Sequence, residues 1–340
     1  MSDLAGVLPR ITIITPSFQQ EPYLEECLRS VNGHDYPALE HIVVDGGSTD
    51  GSKAIIEQYA DKLAWWCSEK DNGQSDAINK GLAHATGEVF GWLNSDDALL
   101  PGALQRVGEA FAADPQLQVF GGRIVHRDPN GDRVFEKLND AADVDRLHAD
   151  PVINQPATFY RMSAVRDIGG VDPALRYVMD MELWWQLLFR RGTDHLRFEP
   201  VQLAMFRLHD QSKTVSAHAG FLDEIASLLH GMCRATGQDD LARVIANGHQ
   251  ILSNLRGIPV RPDHRAVVRM MAVHFLLKWQ GLVHREHQFR MMKRLRTTDI
   301  SGVRFLDEEM EKRWHALADL DGAANWIAFR ARRKWRSLVR

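Results

Sequence analysis

The sequence predicts an α/β fold: a mostly parallel sheet covered by helices on both faces, followed by a helical C-terminal region. Three observations carry this. Short apolar, β-branched runs alternate with helix-length segments over about the first 125 residues. Three of those runs stop abruptly at polar loops, namely Thr15-Pro16-Ser17, Asp45-Gly46-Gly47 and Asn94-Ser95-Asp96-Asp97. Beyond about residue 220 the strand pattern ceases and helical patterns take over. Parallel strands bring such loops to one edge of the sheet, the edge at which open α/β folds bind ligands.

Ile11 to Thr15 is the first strand. Glu21 and Pro22 open a helix that runs through Leu28, because acids and Pro suit a first helical turn. His41 to Val44 is a second buried strand, closed by Asp45; Gly46 to Gly51 is a turn, and a helix follows from Ser52 to Tyr59. Leu63 to Cys67 is the third strand, Asp71-Asn72-Gly73 breaks it, and Gln74 to Ala85 is a helix ended by Thr86-Gly87. Glu88 to Leu93 is the fourth strand, which delivers Asp96 and Asp97 to the sheet edge. A helix spans Gly102 to Ala113, and Leu117 to Val125 is a fifth strand. Further on, Met181 to Arg191 is helical and ends at Gly192, with Asp180 at its start, a position that also suits a simple N-cap. Phe221 to Thr236, Asp240 to Asn254 and Asp263 to Arg296 read as helices. Trp326 to Arg340 carries six basic residues and no acid, with Ile327, Ala331, Trp335, Leu338 and Val339 on one side of a helical wheel. That is the pattern of a helix on anionic lipid, or of a solvated tail.

Composition narrows the class. An apolar content of 44% and a charged content of 25% are those of an ordinary globular chain. Three scattered cysteines show neither metal spacing nor a disulfide framework, which suits a reducing cytoplasm. The N-terminus has no basic start and no long apolar run, so no signal peptide is expected, and no run is long enough to span a membrane. The net charge of -4 conceals an asymmetry, +9 over residues 261–340 against -13 over residues 1–260. The acidic N-terminal part gives no support to nucleic-acid binding, while the basic C-terminal part fits an anionic surface.

Two adjacent acids at a strand end, Asp96 and Asp97, are suited to holding a divalent cation, which in turn holds a phosphate; they also suit a loop and a cap. Neither a Gly-x-Gly-x-x-Gly nor a P-loop motif is present, so a phosphate bound here relies on a cation rather than a glycine-rich nest.

Five motifs in order make the chain resemble the family 2 glycosyltransferases of GT-A fold. They are Ile14 to Phe18, Val43 to Gly51, Asp71 to Gly81, Ala85 to Glu88 and Leu93 to Asp97. A weaker likeness continues through Asn154-Gln155-Pro156, Gly169 to Asp172 and Met179 to Trp184, as far as Arg207-Leu208-His209. The resemblance implies a nucleotide-sugar-binding and catalytic domain over residues 1–220 and a helical region over 221–340. It implies inverting transfer of a single sugar from a nucleotide-activated donor to an acceptor hydroxyl in cell-surface polysaccharide or lipopolysaccharide assembly. The chain lacks the Gln-x-x-Arg-Trp signature of processive synthases.

Carried over by motif, the donor lies against Thr15, Pro16, Ser17, Asp45, Asp71, Gln74, Asn94, Ser95 and Asp97. Asp45 either accepts from the base or bonds its own turn. Asp96 contacts Mg²⁺ or Mn²⁺, with His209 as a further ligand; Asn94 stands where the family usually has the first acid of Asp-x-Asp. Asp180 is the catalytic base, and Glu182, about 200° further round the helix, faces elsewhere. Gln155 and Trp184 fall on the acceptor side, although helical spacing puts at least one of Trp184 and Trp185 in the core. The acceptor is a glycan or lipid-linked glycan, and the enzyme is cytoplasmic and peripheral at the inner membrane face through residues 326–340. A catalytically degenerate nucleotide- or glycan-binding module is the alternative, supported by Asn94. A nucleotidyltransferase would call for a basic, glycine-rich phosphate loop that this chain lacks.

Overall fold

Ile11–Ser17 form β1, seven buried residues in succession, as a strand covered on both faces requires. The computed structural model describes residues 8–209, 218–283 and 285–318. After β1 come α1 (Glu21–Asn32), β2 (Leu39–Asp45), α2 (Ser52–Gln58), β3 (Trp65–Ser68), α3 (Gln74–His84) and β4 (Val89–Trp92). The four strands lie in the order β3-β2-β1-β4, every pair parallel. Ile11 and Ile13 of β1 pack with Cys27 and Val31 of α1 in one buried cluster. On the other face Ile14 meets α3 at Gly81, where a Cβ would come within 2.7 Å of the Ile14 side chain. Glycine there lets the helix lie close to the sheet. Because β1 is followed by β2 on one side and flanked by β4 on the other, the strand order reverses at β1. A crevice opens at the carboxyl ends of such strands.

Beyond β4 the chain forms β5 (Ala98–Leu99), α4 (Ala103–Ala113), β6 (Val119–Asp128), β7 (Gly131–Phe135), α5 (Val144–Ala149), β8 (Thr158–Arg161), α6 (Met162–Ile168), α7 (Met179–Arg191) and β9 (Leu196–Arg207). β8 runs antiparallel to both β4 and β6, β9 is parallel to β6 and antiparallel to β5, and β7 pairs with β6 as a hairpin. The sheet is therefore parallel through β4 and mixed over its whole width. The strand predicted after α4 does not join β4, because β8 enters between them.

The chain divides into two compact units, Met1–Leu228 with Leu252–Pro259, and Leu229–Ile251 with Val260–Arg340. The first holds the sheet. A long helix, α8 (His218–Ala235), begins in it and ends in the second. The second unit is helical, with α9 (Asp239–Ala246), α10 (Arg265–Trp279), α11 (Arg285–Arg296) and α12 (Glu308–Ala318). Two helices are shorter than their sequence patterns. α9 stops at Ala246, before Asn247-Gly248, and the long stretch after Asp263 breaks at Gln280–Leu282, around Gly281. Glycine and asparagine weaken a helix at both places. Among the described residues no helix is long and apolar enough to cross a membrane. The basic stretch 326–340 lies outside the described residues.

Candidate active site

The register of β1 with its neighbours sets how the three strand ends meet. Ser17 pairs with Asp45 and Ile14 with Trp92, so the loops after β1, β2 and β4 share one edge. A cleft of about 650 Å³ opens there. Pro16, Ser17, Asp71, Gln74, Asn94, Ser95 and Asp96 all line it, joined by Phe18, Gly46, Lys70, Arg176 and Arg207. Residues as far apart in sequence as Pro16 and Arg207 thus meet because parallel strands end together.

Ser17 is 4% exposed and its Oγ has no hydrogen-bond partner among the described residues, an orphaned hydroxyl in the cleft wall. Thr15 does not reach the cleft; it is fully buried with Oγ1 3.0 Å from His41 Nε2. Asp45 is buried beneath the cleft and accepts from Ser48 N at 2.9 Å, Ser48 Oγ at 2.5 Å and Ser68 Oγ at 2.7 Å. Its carboxylate thereby ties the β2 turn to β3. Asp71 accepts from Gly73 N at 2.9 Å, and burial raises its pKa. A Cβ on Gly46 would stand 2.9 Å from the Asp71 carboxylate, so glycine lets the two loops close on each other.

Asn94, where an acid was the family expectation, is held by amides rather than by charge. Gln74 Nε2 donates to Asn94 Oδ1 at 2.6 Å, Asn94 Nδ2 to Gln155 Oε1 at 3.1 Å, and Gln155 Nε2 to Trp92 O at 2.7 Å. Gln155 thus reaches the site through Asn94, although it is not part of the cleft wall.

The two adjacent acids part company. Asp96 lines the cleft and its Oδ2 lies 3.0 Å from His209 Nε2. Asp97 turns inward, 2% exposed, and its Oδ1 accepts from Arg207 N at 2.9 Å. Burial, and then the neighbouring Asp96, hold the Asp97 carboxyl well above the usual range. This corrects the placing of Asp97 among the donor contacts; it anchors the end of β9 from behind the wall. Among the described residues no three His, Cys, Asp or Glu side chains gather at metal-holding distances, so Asp96 with His209 is a two-ligand set.

Asp180 is the second residue of α7, not its N-cap; Val178 takes that position. The carboxylate of Glu224 accepts from the N–H groups of Arg176, Tyr177 and Val178, the three residues that lead into the helix. Asp180 Oδ1 accepts from Met181 N at 2.8 Å. Burial, with Glu224 adding to it, pushes the Asp180 carboxyl up to about 6. Asp180 is not itself among the residues of the cleft wall, but Arg176, four positions earlier, is. Glu182 faces away as helical spacing requires; it is fully buried and receives Arg256 Nε at 2.9 Å and Nη2 at 2.8 Å. Trp184 is 1% exposed, with its Nε1 donating to Leu147 O at 2.8 Å. A ring with no free face cannot stack on a sugar, so its acceptor-side placing is corrected to a core one.

The cations of the cleft went unnoticed in the sequence. Arg207 donates from Nε to Asp96 O at 2.9 Å, pairs with Glu26 and stacks over Tyr23. Its signal was its place two residues before His209. Lys70 and Arg176 each flank an acid-rich loop, a pattern too common to single out.

Comparison with known proteins bears on the family and the fold. The family model "Glycosyl transferase family 2" matches residues 12–169. An uncharacterized glycosyltransferase of Mycobacterium tuberculosis is 32% identical over 176 residues, which are 51% of this chain and 67% of that protein. The GalNAc(5)-diNAcBac-PP-undecaprenol beta-1,3-glucosyltransferase of Campylobacter jejuni is 29% identical over 136 residues, 38% of this chain and 42% of that one. Among solved structures, S. aureus TarS in complex with UDP-GlcNAc aligns with a TM-score of 0.60 at 17% identity, covering 84% of this chain and 80% of that chain. A mannosyltransferase from Pyrobaculum calidifontis, in complex with GDP-Man and Mn²⁺, aligns with a TM-score of 0.55 at 17% identity, covering 99% and 83%. At such identities the structural likeness speaks for the fold, which is of the GT-A type, and the sequence likeness speaks for descent: the chain belongs to glycosyltransferase family 2.

Proposed function

We propose that this enzyme transfers a single sugar, with inversion, from a nucleotide-activated donor to an acceptor hydroxyl on a glycan or lipid-linked glycan of the cell surface. The observation that carries the reading is the one cleft at the ends of β1, β2 and β4, where Ser17, Asp71, Asn94 and Asp96 meet two arginines. The nucleotide lies against Pro16 and Ser17, whose orphaned hydroxyl is satisfied by the ligand. Asp45 and Asp71 shape that end of the cleft. The diphosphate lies toward Asp96, within reach of the fixed charges of Arg176 and Arg207.

Asp96 and His209 would hold a divalent cation through one carboxylate oxygen and one imidazole nitrogen, a donor set suited to Mn²⁺ or Mg²⁺. Such an ion would neutralise charge developing on the leaving diphosphate. In the transfer, the acceptor oxygen bonds to the anomeric carbon as the bond to the diphosphate breaks on the opposite face. The hydroxyl proton passes to Asp180, whose carboxyl, poised at about 6, is ionised at neutral pH yet basic enough to accept it. The solved relatives with UDP-GlcNAc and with GDP-Man and Mn²⁺, and the undecaprenol-linked substrate of the Campylobacter enzyme, support this class of donor and acceptor. A cytoplasmic location at the inner membrane face, through residues 326–340, completes the reading.

The second reading, a binding module without turnover, draws on Asn94 and its amide partners. Calorimetric titration of UDP and GDP, each with Mn²⁺ and with EDTA, tests the donor site. One diphosphate is expected to bind with Mn²⁺, and Asp96→Ala to abolish the Mn²⁺ dependence. Binding that Mn²⁺ leaves unchanged in the unaltered protein removes the metal role from Asp96, and binding of neither nucleotide contradicts the donor site.

A further inference from the structure

We propose that Glu224 is a positioning residue for the transfer: its carboxylate fixes the backbone of residues 176–178, and so holds Arg176 in the donor cleft and Asp180 at the head of its helix. The proposal rests on the donor site and base assigned above. Glu224 lies on α8, outside the region that resembles the family, and is only 3% exposed. It accepts from Arg176 N at 2.8 Å, Tyr177 N at 2.9 Å and Val178 N at 3.0 Å. Hydrogen bonds to a charged acceptor are about twice as strong as neutral ones, and here three consecutive donors share one carboxylate.

Two neighbours complete the clamp. Ser75 Oγ donates to Leu175 O at 2.7 Å, which ties the same loop to α3. A Cβ on Gly220 would fall 2.4 Å from the Tyr177 ring, so glycine lets α8 lie close against the loop. The loop has one residue in the cleft wall, Arg176, and leads directly into Asp180. Of the titratable groups near Asp180, Glu224 adds negative charge from α8 and Tyr160 lies near it on β8.

The test uses the full chain with Glu224→Gln and Glu224→Ala. Gln keeps an acceptor oxygen but removes the charge. Its Nε2 cannot accept, so part of the clamp is lost: donor KM and kcat are expected between those of the unaltered protein and Glu224→Ala, and the acid limb of the turnover profile shifts to lower pH. Ala removes the clamp, with donor KM raised roughly tenfold through Arg176 and kcat lowered roughly 10- to 100-fold through Asp180. In hydrogen exchange, Glu224→Ala loses protection at the amides of 176–178, whereas Asp180→Asn retains it. A Glu224→Ala protein with unchanged protection, KM and kcat overturns the proposal. If Glu224→Ala does not fold, Glu224→Gln with unchanged protection at 176–178 and unchanged KM and kcat overturns it. Absence of nucleotide binding and turnover in the unaltered protein would contradict the transferase reading instead, and the exchange measurement still decides the clamp.

Discussion

Replacing Asp180 by Asn removes a carboxyl that the fold holds against its preference for water, and the structure sets the size of the effect. Burial raises its pKa from 3.8 to about 6. A carboxyl with a higher pKa in the folded than in the unfolded state binds more protons when folded. Ionising it therefore costs stability as pH rises from about 4 through about 6, and the full cost persists above that window. A shift of about two units corresponds to about 3 kcal/mol. Asn keeps an oxygen for the Met181 N–H but brings an amide that also needs partners, so a net gain of about 1–3 kcal/mol is expected at pH 8. For a unit of this size that is roughly 2–10 °C in melting temperature. Melting curves followed by circular dichroism at half-unit steps of pH should show Asp180→Asn above the unaltered protein at pH 8, with the difference closing near pH 4. Equal melting at pH 8, or a less stable Asp180→Asn there, would refute the argument. The physical ground for treating Asp180 as a base poised near neutrality would go with it.

Arg256→Met should be strongly destabilising, by about 3–5 kcal/mol, because it strands the fully buried Glu182 without its bidentate partner. Burial already raises the Glu182 pKa and the variant raises it further, so urea titrations should find the loss larger at pH 8 than at pH 5. Gly87→Ala places a Cβ 2.4 Å from Thr12 Oγ1 and 2.9 Å from Arg10 O, at a cost of about 1–3 kcal/mol in the same titrations. Gly231→Ala, in the open on α8 with nothing within 4 Å, should instead stabilise by about 0.4–1 kcal/mol.

The parallel half of the sheet was legible because its signals are local. Each strand is a short apolar run, and each stops at a polar loop. The sheet edge follows from that pattern alone, and with it the meeting of Ser17 and Asp96, whereas Asp71 was reached through the family resemblance. The antiparallel half was not legible, because insertion of β8 beside β4 depends on pairing between segments some 70 residues apart. Side-chain direction was harder still. Asp96 and Asp97 are neighbours, yet one faces the cleft and the other the interior. Trp184 and Asp45 likewise turned out to be spent on Leu147 and on two serines. The Thr86-Gly87 motif carries structure too. Thr86 N and Gly87 N donate to Glu40 at 2.8 and 3.2 Å, and these bonds with that of Thr12 outweigh burial to hold Glu40 below the usual glutamate range. Glu224 left no trace in the sequence, since nothing in a helix 44 residues downstream announces that its carboxylate holds the loop before Asp180.

Turnover of nucleotide sugars decides whether the cleft transfers a sugar and whether Asp180 is its base. The purified full chain is incubated with a panel of uridine, guanosine and thymidine diphosphate sugars, Mn²⁺ and a lipid-linked glycan acceptor at pH 7.5, and release of the nucleoside diphosphate is measured beside the Asp180→Asn variant. Release is expected from one class of donor, with the variant slower by at least about 100-fold while its nucleotide affinity is unchanged. Release at the same rate from both proteins would contradict the assignment of Asp180, and binding without any release would leave the fold as a donor-binding module and not a transferase.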